Sequence, residues 1–174
     1  MNPVLIKEQL APASGACDFS VLTLNTFRRV ELFASGVTVT TDDTEPRMTF
    51  YVAGSEIVTG YRWAVDVGHS GGTSANTGAD DAASFIGLCK ADATTWGVGN
   101  ASTEGFDLEM NIWMPGDTAL YKMASWRMFH TDPAGLSNRT TGVGVMDNAA
   151  AIDGIKLYGD SNLTAGRVKL IGYA

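Results

Sequence analysis

Apolar and polar side chains alternate with a period of two along much of this chain, and the cleanest run is Phe106 to Met114. Phe106, Leu108, Met110, Ile112 and Met114 share one side of such a strand, while Asp107, Glu109 and Asn111 share the other. Ala151 to Ala174 carries the same signal twice. Ile155 and Leu157 alternate with Lys156 and Tyr158, and Val168 and Leu170 alternate with Arg167 and Lys169. Gly159, Asp160, Ser161, Asn162 and Thr164 lie between the two runs. Period-two runs on both sides of a polar turn predict a β-hairpin with one buried face. An isolated hairpin is marginal in water, so this one has to close onto a larger sheet.

The remaining elements follow in order. Residues 1–15 read as an arm, with an apolar patch (Val4, Leu5, Ile6, followed by Lys7) and then Pro12, Ser14 and Gly15. It pairs as an edge strand or reaches across to a neighbour, and the second is favoured because termini stay poorly ordered unless something ties them down. Strands are predicted over Asp18–Leu24 and Phe27–Thr40, with Gly36 marking a bulge or bend. Arg47–Ala53 and Glu56–Val67 form a hairpin around Gly54 and Ser55. Residues 68–82 are small and polar and read as a long surface loop. Ser84–Cys89, Phe106–Met114, Ala119–Phe129 and Thr140–Met146 complete the set, with loops at Lys90–Glu104 and His130–Arg139. No window of helical length shows a 3.6 period. About ten short strands with no repeat and no internal linker predict an all-β, single-domain antiparallel β-sandwich, jelly-roll-like, over residues 16–174, with the short N-terminal arm of residues 1–15.

Composition changes this picture little but narrows the partners. The chain has 174 residues, enough to bury a core without a covalent staple. Its 20 glycines suit a turn-rich β protein. The net charge is −7 and the basic residues are scattered, which argues against nucleic acid and against an anionic membrane surface. Cys17 and Cys89 are far apart and lack metal-ligand spacing, so they read as two small, partly buried residues of a protein folded in a reducing cytosol. The segment before Cys17 fails as a lipoprotein signal, because Lys7, Glu8 and Gln9 interrupt its apolar run.

Candidate chemistry is thin. Gly68-His69-Ser70-Gly71-Gly72 fits the pattern of a nucleophile elbow, and Asp107 and His130 follow Ser70 in hydrolase order. The elbow needs a helix at once, and the small polar residues after Gly72 do not start one. The carboxylate groups Asp42-Asp43-Glu45, Asp80-Asp81 and Glu104-Asp107-Glu109 sit in loops or on a polar strand face, the ordinary place for charge. No catalytic residue, cofactor or metal site is expected. The tryptophans carry more. Trp113 breaks the alternation of its strand and is expected on the polar face, at a subunit interface. Trp96 lies in a glycine-flanked loop and, with His69, marks a loop surface suited to a ligand. Trp63 and Trp126 read as core or rim residues.

Leu5-Ile6-Lys7, Ala13-Ser14-Gly15-Ala16 and Asp18-Phe19 form one set of motifs, followed by Val37 to Asp42 and by Gly60, Tyr61 and Trp63. The C-terminal end adds Ile152, Ile155, Leu157, Ser161, Asn162, Ala165, Gly166, Val168, Leu170, Gly172 and Tyr173. Taken together, they make the chain resemble small jelly-roll bacteriophage virion proteins of the capsid-decoration and tail-fibre-like kind. Leu170-Ile171-Gly172 departs slightly from the Leu-Tyr-Gly common in such proteins. The resemblance implies a non-enzymatic structural role, as a homotrimer made in the bacterial host cytoplasm and carried on the virion surface. Its partners would be the major capsid protein or other virion proteins. Within it, a decoration (cement) protein bridging capsid subunits is favoured over a tail or fibre module that binds a host glycan or protein, because the chain has no trimerising coiled coil beyond its short arm.

Overall fold

A computed structural model of the chain describes residues 2–10, 15–71, 76–89 and 96–174. The chain is all-β: one antiparallel hydrogen-bonded sheet curls until its two halves face each other as the layers of a single sandwich. The strands are β1 (Val4–Leu10), β2 (Gly15–Phe19), β3 (Arg29–Val39), β4 (Pro46–Val52), β5 (Ser55–Glu56) and β6 (Tyr61–His69). They continue with β7 (Asn76–Ala83), β8 (Ile86–Gly87), β9 (Phe106–Trp113), β10 (Lys122–Thr131), β11 (Ser137–Met146) and β12 (Gly154–Tyr173). The principal order across the sheet is β5-β4-β12-β3-β9-β10-β11-β6-β7.

β12 organises the fold, and it corrects the predicted hairpin. Gly154–Tyr173 is one strand of 20 residues, and its two halves do not pair with each other. The N-terminal half lies between β2 and β4, and the C-terminal half lies between β1 and β3. A straight strand of that length would reach about 65 Å. Yet Leu22 N–H donates to the Asp153 carbonyl and Arg28 N–H to the Tyr173 carbonyl. Those donors are six positions apart along the chain and span at most about 21 Å, so β12 doubles back and passes from one layer to the other. Its polar middle is therefore a corner. Register shifts there fall between Tyr158 and Leu163 against β2, and between Leu163 and Arg167 against β3. A Gly/Asp/Ser/Asn cluster between two alternating runs serves a bend as well as a turn, and periodicity alone does not separate the two.

Gly36 supports the same corner on the neighbouring strand. Its φ is +59°, and the β3–β9 register shifts between Ala34 and Val37. The β4–β5 hairpin turns on Ala53 and Gly54, with φ of 50° and 75°, the left-handed pair of a type I′ turn.

Other boundaries move. The first predicted strand ends at Phe19, and a 3₁₀ turn, Leu24–Thr26, begins at the last of its predicted residues. Asn76–Ala83 is strand β7 on the edge beside β6, inside what composition predicts to be loop; small residues on an edge give no alternation to read. The predicted loop His130–Arg139 is largely a tight β10–β11 hairpin, whose pairing runs to Thr131↔Ser137. Only Ile86–Gly87 of the predicted Ser84–Cys89 strand pairs. The predicted loop Lys90–Glu104 and the motif residues Ala13 and Ser14 lie partly or wholly outside the described residues. The arm is not extended towards a neighbour, because Val4–Leu10 is strand β1 paired with β12.

The core lies between the layers. Phe19, Leu32, Met48, Phe50, Tyr61, Met110, Ile112, Met128, Ile155, Leu157 and Leu170 are fully or almost fully buried. Tyr61 ties the layers together: its hydroxyl donates to the Ile57 carbonyl and accepts from Phe50 N–H, with the Phe50 and Tyr61 rings 6.3 Å apart. Trp126 is buried and donates its indole N–H to the Leu88 carbonyl at 2.9 Å. Trp63 is half-buried over Gly87. Cys17 and Cys89 are both buried, and burial pushes the Cys17 thiol up to about 11.

Candidate interaction surface

The layer containing β9, β10 and β11 has an outward face that the pairing register spells out. Tyr173, Arg29, Trp113, Met123 and Val145 stand opposite one another on β12, β3, β9, β10 and β11. The next outward row is Leu5, Ile171, Glu31, Asn111, Ser125 and Val143. Neighbouring strands lie about 4.8 Å apart, so each row crosses roughly 20 to 25 Å of surface. Trp113 is 44% exposed, Met123 55% and Val143 58%. Met114, Leu120 and Tyr121, at the β9–β10 connection, are exposed as well. Large apolar side chains gathered on one sheet face, rather than scattered, mark an interaction site.

Trp113 is thus on the polar side of its strand, as its break in the alternation implies. Of the arm residues, Val4 and Leu5 are more than half exposed, Ile6 is half-buried, and the Lys7 ammonium sits 5.8 Å from the centre of the Phe19 ring. Leu5 belongs to the same outward face as Trp113, three strands away. Among the described residues no strand pairs the outer edge of β1, which leaves its backbone groups open to another chain.

Sequence reasoning misses Met123, Val143, Arg29 and Tyr173. β10 explains why: its inward positions are Lys122, Ala124, Trp126, Met128 and His130, and its outward ones include Met123 and Phe129. A lysine inside and apolar residues outside cancel the periodicity. Lys122 is tolerated because its ammonium donates to the carbonyls of Asp117, Leu120 and Ala149. The signal that exposes the outward face is the register itself, which aligns Met123 with Trp113.

His69 and Trp96 are brought together. Their rings lie 4.9 Å apart at 37°, both half-buried. The Trp96 carbonyl accepts from His130 Nε2 at 3.0 Å, since a carbonyl can only accept. His130 is buried, and burial pushes its imidazole down to about 4 against the opposing pull of that carbonyl and of Asp132. Among the described residues its Nδ1 has no partner, nor do Oδ1 of Asn138, directly opposite, and Oγ1 of Thr140.

The hydrolase-like trio does not assemble. Ser70 Oγ accepts from Ser137 N–H, the Asp107 carboxylate accepts from Gly36 N–H, and His130 bonds neither. The acidic groups are spent on turns and ion pairs. Asp42 and Asp43 accept from Asn100 and Gly97 N–H, Asp80 from Ala82 N–H, Glu104 from Ala101 N–H, and Glu109 pairs with Arg127. Among the described residues, no three His, Cys, Asp or Glu side chains group as metal ligands. The chain matches no protein-family model and no curated protein.

Proposed function

We propose that this chain is a non-enzymatic structural protein of a bacteriophage particle, a decoration protein that bridges neighbouring capsid subunits on the head. Two things support it: the motif resemblance to small jelly-roll virion proteins, and the outward face built from Trp113, Met123, Val145, Val143, Ile171 and Leu5. The single observation that carries the reading is the alignment of exposed Trp113 and Met123 on adjacent strands of that face. A sheet face of this kind buries against a flat capsid surface, while the open edge of β1 adds backbone pairing to a capsid strand. The arm therefore acts from within the sandwich, as its edge. A homotrimer brings three such faces to one capsid axis and multiplies weak contacts.

The test is co-sedimentation with head shells stripped of decoration proteins, taken from the phage that encodes the chain. The wild-type chain pellets with the shells, and the double variant Trp113→Asp/Met123→Asp stays soluble, folded and in the supernatant. A wild-type chain that never pellets, or a double variant that pellets equally well, contradicts the proposal.

The His69–Trp96 ring pair favours a second reading, a tail or fibre module whose aromatic platform meets a host glycan. Loss of host-cell adsorption by particles carrying Trp96→Ala, with the outward-face variant unaffected, would select it.

A further inference from the structure

We infer that a hollow at the end of the outward face, beside Trp113, takes an acidic, apolar segment of the partner protein: an aromatic or aliphatic side chain next to a carboxylate. This rests on the reading of that face as an assembly surface and names the chemistry of what it meets. The hollow has a volume of about 690 Å³ and is lined by Arg28, Arg29, Trp113, Met114 and Tyr173. Its walls are thus two aromatic rings and a thioether, and among the described residues its only charged lining groups are the two arginines.

The local backbone builds it. Met114 follows β9 with φ of +48°, a left-handed conformation that a side chain of this size seldom adopts. Met114 N–H donates to the Arg28 carbonyl at 2.7 Å, and Asp117 N–H to the Met114 carbonyl at 3.0 Å. The turn after β9 is thereby fixed with the thioether at the rim. On the opposite side Arg29 lies between two rings, its guanidinium 4.3 Å from the centre of Tyr173 and 5.5 Å from that of Trp113. Glu31 holds the stack from one side, with one oxygen 3.0 Å from Arg29 Nη2 and the other accepting from the Tyr173 hydroxyl.

Two donors are left over. Arg29 Nε is buried without an acceptor, and Arg28 is exposed with no ion pair among the described residues. Both carboxylate oxygens of Glu31 are already engaged. Two arginines against one glutamate leave the hollow at 2 − 1 = +1, in a chain whose net charge is −7. This basic, aromatic recess is complementary to a carboxylate carried on an apolar body, and it repels the matching cation.

The probes are 3-phenylpropionate and 3-phenylpropylammonium, which share an apolar body and differ in the sign of the charge. Each is titrated onto the full chain while the Trp113 indole N–H is followed by nuclear magnetic resonance, assigned through Trp113→Phe. The acid shifts that resonance saturably and binds at least about tenfold more tightly than the amine, and Arg28→Glu removes the preference. Equal binding of the two probes, no shift with either, or an unchanged preference in Arg28→Glu overturns the inference. Because head binding is measured separately, a chain that pellets with shells but ignores the acid refutes the partner's chemistry and spares the decoration reading. A chain that binds the acid but never pellets does the reverse.

Discussion

His130 is the residue whose chemistry makes the sharpest pH forecast. Its imidazole titrates near 4 in the folded chain, well below the unfolded value of about 6.5. The unfolded state therefore binds the proton first as pH falls. The stability that neutral His130 contributes is complete above about pH 6.5 and is lost progressively down to about pH 4, by up to roughly 3 kcal/mol. Denaturant titrations at pH 7 and pH 4.5 should show the wild type losing more stability than His130→Gln, which keeps a polar group but does not titrate there. Parallel losses in the two proteins would exclude His130 as the source. From sequence, His130 looks like a loop residue in hydrolase order. Its burial follows from the β10–β11 hairpin running on to Thr131 and Ser137, and small polar residues such as Asn138 and Thr140 give no periodic sign of facing inward. Trp113 is the opposite case: one aromatic residue out of phase in a clean strand is enough to place it outside.

At the scale of elements, the bend of β12 is what turns one sheet into two layers. Gly166 carries that bend at φ of +100°, and a Cβ there would meet the Gly36 carbonyl oxygen and Val37 Cα and N at 2.7 Å, all of them backbone atoms. Gly166→Ala combines a strained backbone with a clash that no side chain can relieve, and should cost about 2 to 4 kcal/mol. Thermal unfolding of the variant beside Gly54→Ala checks this, since Gly54 has open space around its Cβ position. Equal losses at the two glycines would mean that the corner is not tightly determined. Period-two alternation reveals both halves of β12 and their buried residues, Ile155, Leu157, Val168 and Leu170. It says nothing about whether the polar segment between them reverses the chain or bends it, because that depends on which strands lie alongside. β7 is hidden for a related reason: Asn76–Ala83 contains no large apolar residue to mark a face.

For the molecule as a whole, the all-β class, the single sandwich and the outward position of Trp113 follow from alternation and turn chemistry. The outward face as a surface does not, because it is assembled from six strands whose sequence order differs from their spatial order. Met123 meets Trp113 only through the β9–β10 register, and Tyr173 meets Arg29 only once β12 has crossed between layers. The arm shows the same limit. Val4 to Leu10 reads as a detached tail until β12 provides the strand it pairs with. The proposed decoration role is a matter of position on the particle, and immunogold electron microscopy of intact particles, with antibody raised against the purified chain, measures that directly. The decoration reading predicts gold distributed over the head at repeated positions; gold confined to the tail, or particles bearing none, would contradict it.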